Sequence, residues 1–133
     1  MVNFRIGVKA VIVDDNNLLI IRRRKNDPHN PDQWDLPGGR LELAEDPRQG
    51  LTRETKEETN LDIEVGLPLD VQHFTRQDGQ VITLLFFLCK KKSEDIQLSE
   101  EHQEYKWMDI NNFGIKIPHW LEPVIKNLGM IEK

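Results

Sequence analysis

The sequence predicts an α/β sandwich built on a mixed sheet. Three observations lead there. Residues 4–13 and the run "LLIIRRR" at 18–24 are β-rich segments joined by the turn-forming "DDNN". The run "VITLLFFLCK" at 81–90 is apolar without alternation, as expected of a central strand covered on both faces. Two helical segments, one starting near Asp46 and one near Pro118, carry terminal signals and must cover opposite faces of the sheet.

The opening pair reads as a hairpin, because β-branched residues flank a short polar turn. "KNDPHNPDQ" at 25–33 is a loop. After "WDLPGGRLE", Asp46 supplies an N-cap, Pro47 suits the first helical position, and Gln49 completes a capping box. Asn60 ends that helix, since asparagine tolerates the left-handed closing conformation. Strands are expected at 61–65 and 71–76, then a hairpin turn at "QDGQ" leading into 81–90. "KKKSEDIQLSEEHQ" reads as a charged loop, "EYKWMDI" at 104–110 as a last strand, and 118–129 as a terminal helix with Pro118 at its start and Gly129 past its end.

With 133 residues, 38% of them hydrophobic and 31% charged, the chain suits one soluble domain spanning 1–133. The formal net charge of −5 argues against a nucleic-acid polymer as partner, which a general basic surface would have to neutralise. No apolar run reaches the roughly 18 residues of a membrane span, so a cytoplasmic protein without a membrane anchor is expected. The single Cys89, inside the apolar run, is expected as a buried small hydrophobe. His29, His73, His102 and His119 are scattered and are expected on loops or the surface.

The chemistry lies in "RETKEET" at 53–59. On a helix Glu54, Glu57 and Glu58 fall within an arc of roughly 100 degrees, so their carboxylates converge. They also sit near the C-terminus, where the helix dipole disfavours anions. Spacing and position both oppose stability, so a solvated charged face competes with a cation site. Ionised oxygen donors without histidine or cysteine suit a hard divalent cation such as Mg²⁺, with Mn²⁺ as a substitute. Upstream, "PGG" at 37–39 allows backbone groups at Gly38 and Gly39 to approach a ligand closely.

Gly39, five residues, Glu45, seven residues and then "RETKEETNL" resemble the Nudix box of hydrolases acting on nucleoside diphosphates linked to another group X. The likeness extends to "LLIIRRR", "WDLPGG" and "EYKWMDI", as in MutT-like members. It implies the Nudix fold, an α/β/α sandwich with a mixed β-sheet. It also implies cation binding by Glu54, Glu57, Glu58 and the Gly39 carbonyl, with Arg53 orienting carboxylates and pairing with Glu45. Catalytic roles fall on Glu58, Glu57 and Arg53, with Glu101 as a further glutamate on a later loop beside Glu100 and Glu104. Arg24, with Arg22 on the same face, and Gly38 would contact the substrate. Trp34, Phe74 and Trp120 are either stacking surfaces or core. Two positions depart from the pattern: Thr55 stands where an aliphatic residue is usual, and Asn60 where glycine is.

The implied reaction is attack of water on a diphosphate phosphorus, most consistent here with a nucleoside triphosphate going to the monophosphate and pyrophosphate. Near Thr75 and Arg76 the chain has neither the proline associated with ADP-ribose hydrolases nor the tyrosine associated with dinucleoside-polyphosphate hydrolases, and the coenzyme A signature is missing. "EPVI" at 122–125 resembles the terminal helix of MutT-like sanitising enzymes, but Leu121 stands where those carry a purine-reading asparagine, and Asn111 and Asn112 lack the spacing to replace it. The alternatives are an ADP-ribose or nucleotide-sugar pyrophosphatase and a noncatalytic nucleotide-binding module. The expected partner is a small nucleotide, and the assembly a monomer or homodimer.

Overall fold

The computed structural model describes residues 3–131. Its elements are β1 (Phe4–Asp14), β2 (Asn17–Arg23), β3 (Trp34–Asp35), β4 (Gly38–Arg40), α1 (Pro47–Thr59), β5 (Ile63–Thr75), β6 (Val81–Lys91), β7 (His102–Asp109) and α2 (Leu121–Ile131). The sheet runs β3-β2-β1-β6-β5, with β4 paired to β1 and β7 to β2. It is mixed, because β1 and β6 run parallel from Phe4↔Val81 to Ile12↔Cys89 while the other pairs are antiparallel.

Side-chain alternation along β1 sends Val8, Ala10 and Ile12 into a core with Leu51 of α1, and Val11 into a core with Leu121, Val124 and Leu128 of α2. The helices therefore cover opposite faces. Phe86 and Phe87 divide between the same two cores, which accounts for the unbroken apolar run of β6. Cys89 is buried, and burial pushes its thiol up to about 12. No helix among the described residues is long and apolar enough to cross a membrane.

Helix α1 starts as the cap signals require. The Asp46 carboxylate accepts from the Arg48 and Gln49 N–H groups at 2.8 and 3.1 Å, and Asn60 closes the helix at φ 68°, its N–H donating to Lys56 O.

Three expectations need correction, and one segment with no expected structure forms strands. The strands expected at 61–65 and 71–76 are one strand, β5, which passes Pro68 by register shifts on either side of it. Its place at the sheet edge makes the missing proline N–H harmless. The expected helix at 118–129 is displaced: residues 118–120 form a turn closed by Leu121 N–H to Pro118 O, and α2 runs through Gly129. "WDLPGG" contributes two short strands, β3 and β4. Finally, β7 begins at His102, which is 2% exposed and so is neither a loop nor a surface histidine.

Candidate active site

Two backbone segments meet at the acidic half of α1, and glycine makes the meeting possible. Gly38 adopts φ +152°, and a Cβ there would lie 2.0 Å from Val8 O. Its N–H donates to Glu58 Oε1 at 2.8 Å. A Cβ on Gly39 would lie 2.5 Å from Glu54 Oε2. The "PGG" segment thus lies against two of the three glutamates, and at Gly38 the Val8 backbone leaves no room for a side chain.

Arg53 organises the carboxylates. Its guanidinium donates to both Glu45 oxygens at 2.8 and 3.0 Å, to Glu54 Oε1 at 3.0 Å, and to Glu57 at 3.3 Å. The fork of a planar guanidinium is what permits these contacts together. Hydrogen bonding from Arg53 holds the Glu45 carboxyl down at about 2. The Glu54 carboxyl is raised by burial, against the opposing pull of Arg53.

Glu58 is 6% exposed. Burial pushes its carboxyl up to about 8, opposed by the Lys9 ammonium and the Gly38 N–H and reinforced by Asp35 and Glu54. Near neutrality it can therefore exchange a proton. Behind it lies an alternating charge chain: Lys9 to Asp35 at 3.0 Å, Asp35 to Arg23 at 3.0 Å and Arg23 to Asp27 at 3.0 Å. The sequence reading did not single out Lys9 or Asp35. A lone lysine in a β-rich run and an aspartate in a short loop carry no signal until β1 and β3 are brought together.

An open cleft of about 950 Å³ collects Gly38, Gly39, Glu45, Arg53, Glu54, Glu57, Glu58 and Glu101. Glu101 is thus the member of the acidic loop that reaches the α1 carboxylates. Of the three consecutive arginines, Arg23 lines the cleft. Arg22 turns to Asp32 O and Glu104 and lies 5.8 Å over the Trp34 ring. Arg24 donates from Nε to Glu100 O and from its backbone N–H to Glu101 O, so it braces the loop that carries Glu101. A register shift between Arg22 and Arg23 separates their environments. Trp120 packs on Phe86, their ring centres 5.9 Å apart, and Phe74 is 44% exposed.

Among the described residues no three histidine, cysteine or acidic side chains are gathered as a ready ligand set. Arg53 bridges Glu54 and Glu57, and Glu58 faces the Gly38 amide. The donor chemistry nonetheless fits a hard divalent cation: carboxylate oxygens on one helix face, beside the Gly39 backbone in the same open cleft.

Comparison with known proteins agrees with this arrangement. The family model of the NUDIX domain matches residues 3–128. The chain is 34% identical over 96 residues to an asymmetrical bis(5'-nucleosyl)-tetraphosphatase of Caenorhabditis elegans, covering 69% of each protein. It is 37% identical over 75 residues to a MutT-like protein of Streptomyces ambofaciens, covering 56% of this chain and 47% of that one. The structure of a MutT protein from Methanosarcina mazei Go1 superposes with a TM-score of 0.86 at 27% identity, covering 98% of this chain and 96% of that one. The glycine-backed acidic helix, the mixed sheet between two helices and these matches carry one conclusion: the chain belongs to the NUDIX family and is a Nudix hydrolase.

Proposed function

We propose that this hydrolase is a divalent-cation-dependent pyrophosphohydrolase of nucleoside polyphosphates, taking a nucleoside triphosphate to the monophosphate and pyrophosphate. The observation that carries the reading is the single cleft uniting Glu54, Glu57, Glu58 and Glu101 with the Gly38 and Gly39 backbone. Glu54, Glu57, Glu58 and the Gly39 carbonyl are the groups that would hold Mg²⁺ or Mn²⁺. When bound, such an ion supplies positive charge for the polyphosphate and makes water a better nucleophile.

The remaining roles belong to the chain. Glu58, buried and hydrogen-bonded by the Gly38 N–H, accepts the proton of the attacking water. Glu101, which lines the same cleft from the loop before β7, is the rival acceptor. Arg53 fixes the orientations of Glu45, Glu54 and Glu57. Arg23, held by Asp27 and Asp35, offers a cation to the phosphates from within the cleft, while Arg24 acts indirectly through the Glu101 loop.

A second reading is favoured by the likeness to the worm tetraphosphatase: asymmetric cleavage of a dinucleoside tetraphosphate. The two differ in products. Purified protein is offered nucleoside triphosphates, diadenosine tetraphosphate, ADP-ribose and nucleotide sugars with Mg²⁺ or Mn²⁺ at alkaline pH. Pyrophosphate and a nucleoside monophosphate from a triphosphate support the first reading. A clear preference for the tetraphosphate, giving ATP and AMP, supports the second. Glu58→Gln should lower turnover by about 10²- to 10⁴-fold without unfolding the chain. A panel that stays flat with both ions rules out both readings.

A further inference from the structure

Leu43 is wholly exposed, and Phe4 is 51% exposed. Large apolar side chains left in water forgo a favourable burial term, so two of them in one place call for a reason. They come from separate elements, Phe4 opening β1 and Leu43 lying between β4 and α1, yet both line the cleft that contains Glu54, Glu58 and Glu101.

The loop carrying Leu43 is fastened on both sides. Glu42 N–H donates to Glu45 Oε1 at 2.9 Å, Glu45 N–H donates to Glu42 O at 3.0 Å, and the Glu45 carboxylate is gripped by Arg53. Ala44 takes φ +63°, a conformation unfavourable for any residue with a Cβ. Leu43 is thus held outward by a loop tied to the same arginine that sets the carboxylates. It cannot turn into the core without breaking that tie.

The cleft thus presents large apolar side chains, Phe4 and Leu43, as well as the acidic residues of α1. Its volume of about 950 Å³ is at the scale of small-molecule sites rather than of a protein interface. A ligand matching both sets of residues carries phosphates, which the cation held by the carboxylates would receive, and a flat, weakly polar body for the apolar side chains. We infer that Phe4 and Leu43 form the subsite for the base of the nucleotide, with the Phe4 ring as its stacking surface and Leu43 as its edge. This inference rests on the nucleotide reading above and adds the residues that grip the organic half of the substrate.

The test is a split between KM and kcat. Phe4→Ala and Leu43→Ser should each raise the KM for the best nucleotide by roughly tenfold while kcat stays within about twofold, the pattern of lost uniform binding. Inhibition by inorganic triphosphate, which has no base, should be the same in the variants and the native protein. Because Leu43 is wholly exposed, its substitution does not endanger the fold. Saturation-transfer NMR with a nucleoside, which carries no phosphate for the carboxylates to repel, in metal-free protein should show base protons contacting the native protein and losing that contact in both variants. No transfer to the native protein would overturn the subsite, and so would native KM values together with unchanged transfer. If the native protein hydrolyses no nucleotide, the proposed function fails, and the NMR experiment still decides whether a base sits on Phe4 and Leu43.

Discussion

Thr55 lies fully buried on the core side of α1, one turn from Leu51, and its Oγ1 has no hydrogen-bond partner. Thr59, one turn on, donates its hydroxyl to Thr55 O at 2.7 Å, so the neighbouring threonine is satisfied and Thr55 is not. A buried hydroxyl without a partner is a desolvation cost with no return. Thr55→Val keeps the shape and removes that cost, so it should stabilise the protein by about 1 kcal/mol, measured by urea denaturation at constant m-value. A loss of stability would mean that the hydroxyl is satisfied after all. The sequence marked Thr55 as unusual, standing where an aliphatic residue is expected. The structure locates the cost in a hydroxyl, which depends on what lies across from the side chain. Asn60, by contrast, was readable outright, because its left-handed closing role follows from local backbone preference alone.

Arg53 joins α1 to the loop before it, and that junction behaves as one mechanical unit. Two bonds to Glu45 anchor the loop, while one arm reaches Glu54 and Glu57 on the helix. Lysine keeps the charge but cannot fork. Arg53→Lys is therefore expected to lower activity by roughly 10- to 100-fold, the range for residues that orient cation ligands, with most of the helix content retained by circular dichroism. Activity near the native level would show that charge alone suffices. The spacing of Glu45, Arg53 and the three glutamates was legible because it stays within one loop and one helix. The choice among Arg22, Arg23 and Arg24 was not, because it depends on a register shift against β7, a strand some eighty positions away in the chain. The same holds for β5, where residues 66–70 fell between two expected strands and are absorbed as register shifts at the sheet edge.

Across the whole molecule, the cleft is backed by a polar interior that no local pattern announced. His102 is 2% exposed, its Nδ1 is unpartnered, and it pairs in register with Arg23 at the start of β7. Ser99 O accepts its backbone N–H, and Ser99 N–H in turn donates to Glu58 O, so His102 seats the acidic loop against the end of α1. Burial holds its imidazole down at about 4; the cations Arg23 and Lys9 push the same way, while Asp35 and Asp27 oppose them. A histidine whose folded value lies below its unfolded 6.5 takes up fewer protons when folded, so stability rises with pH between the two. Its contribution is fully present above about 6.5 and is lost as pH falls through about 4. Glu58, whose folded value is raised, contributes in the opposite sense over much of that window. The histidine is therefore read as a difference: as pH falls, the thermal midpoint of metal-free native protein should drop relative to that of His102→Gln. That relative drop is expected whatever the variant's midpoint at neutral pH, because glutamine has no charge to gain. An equal change in both proteins would assign the acid sensitivity to a group other than His102. The Lys9 and Asp35 pair would not be that group, because the two cations hold the Asp35 carboxyl below the usual carboxylate range and its protonation falls below this window.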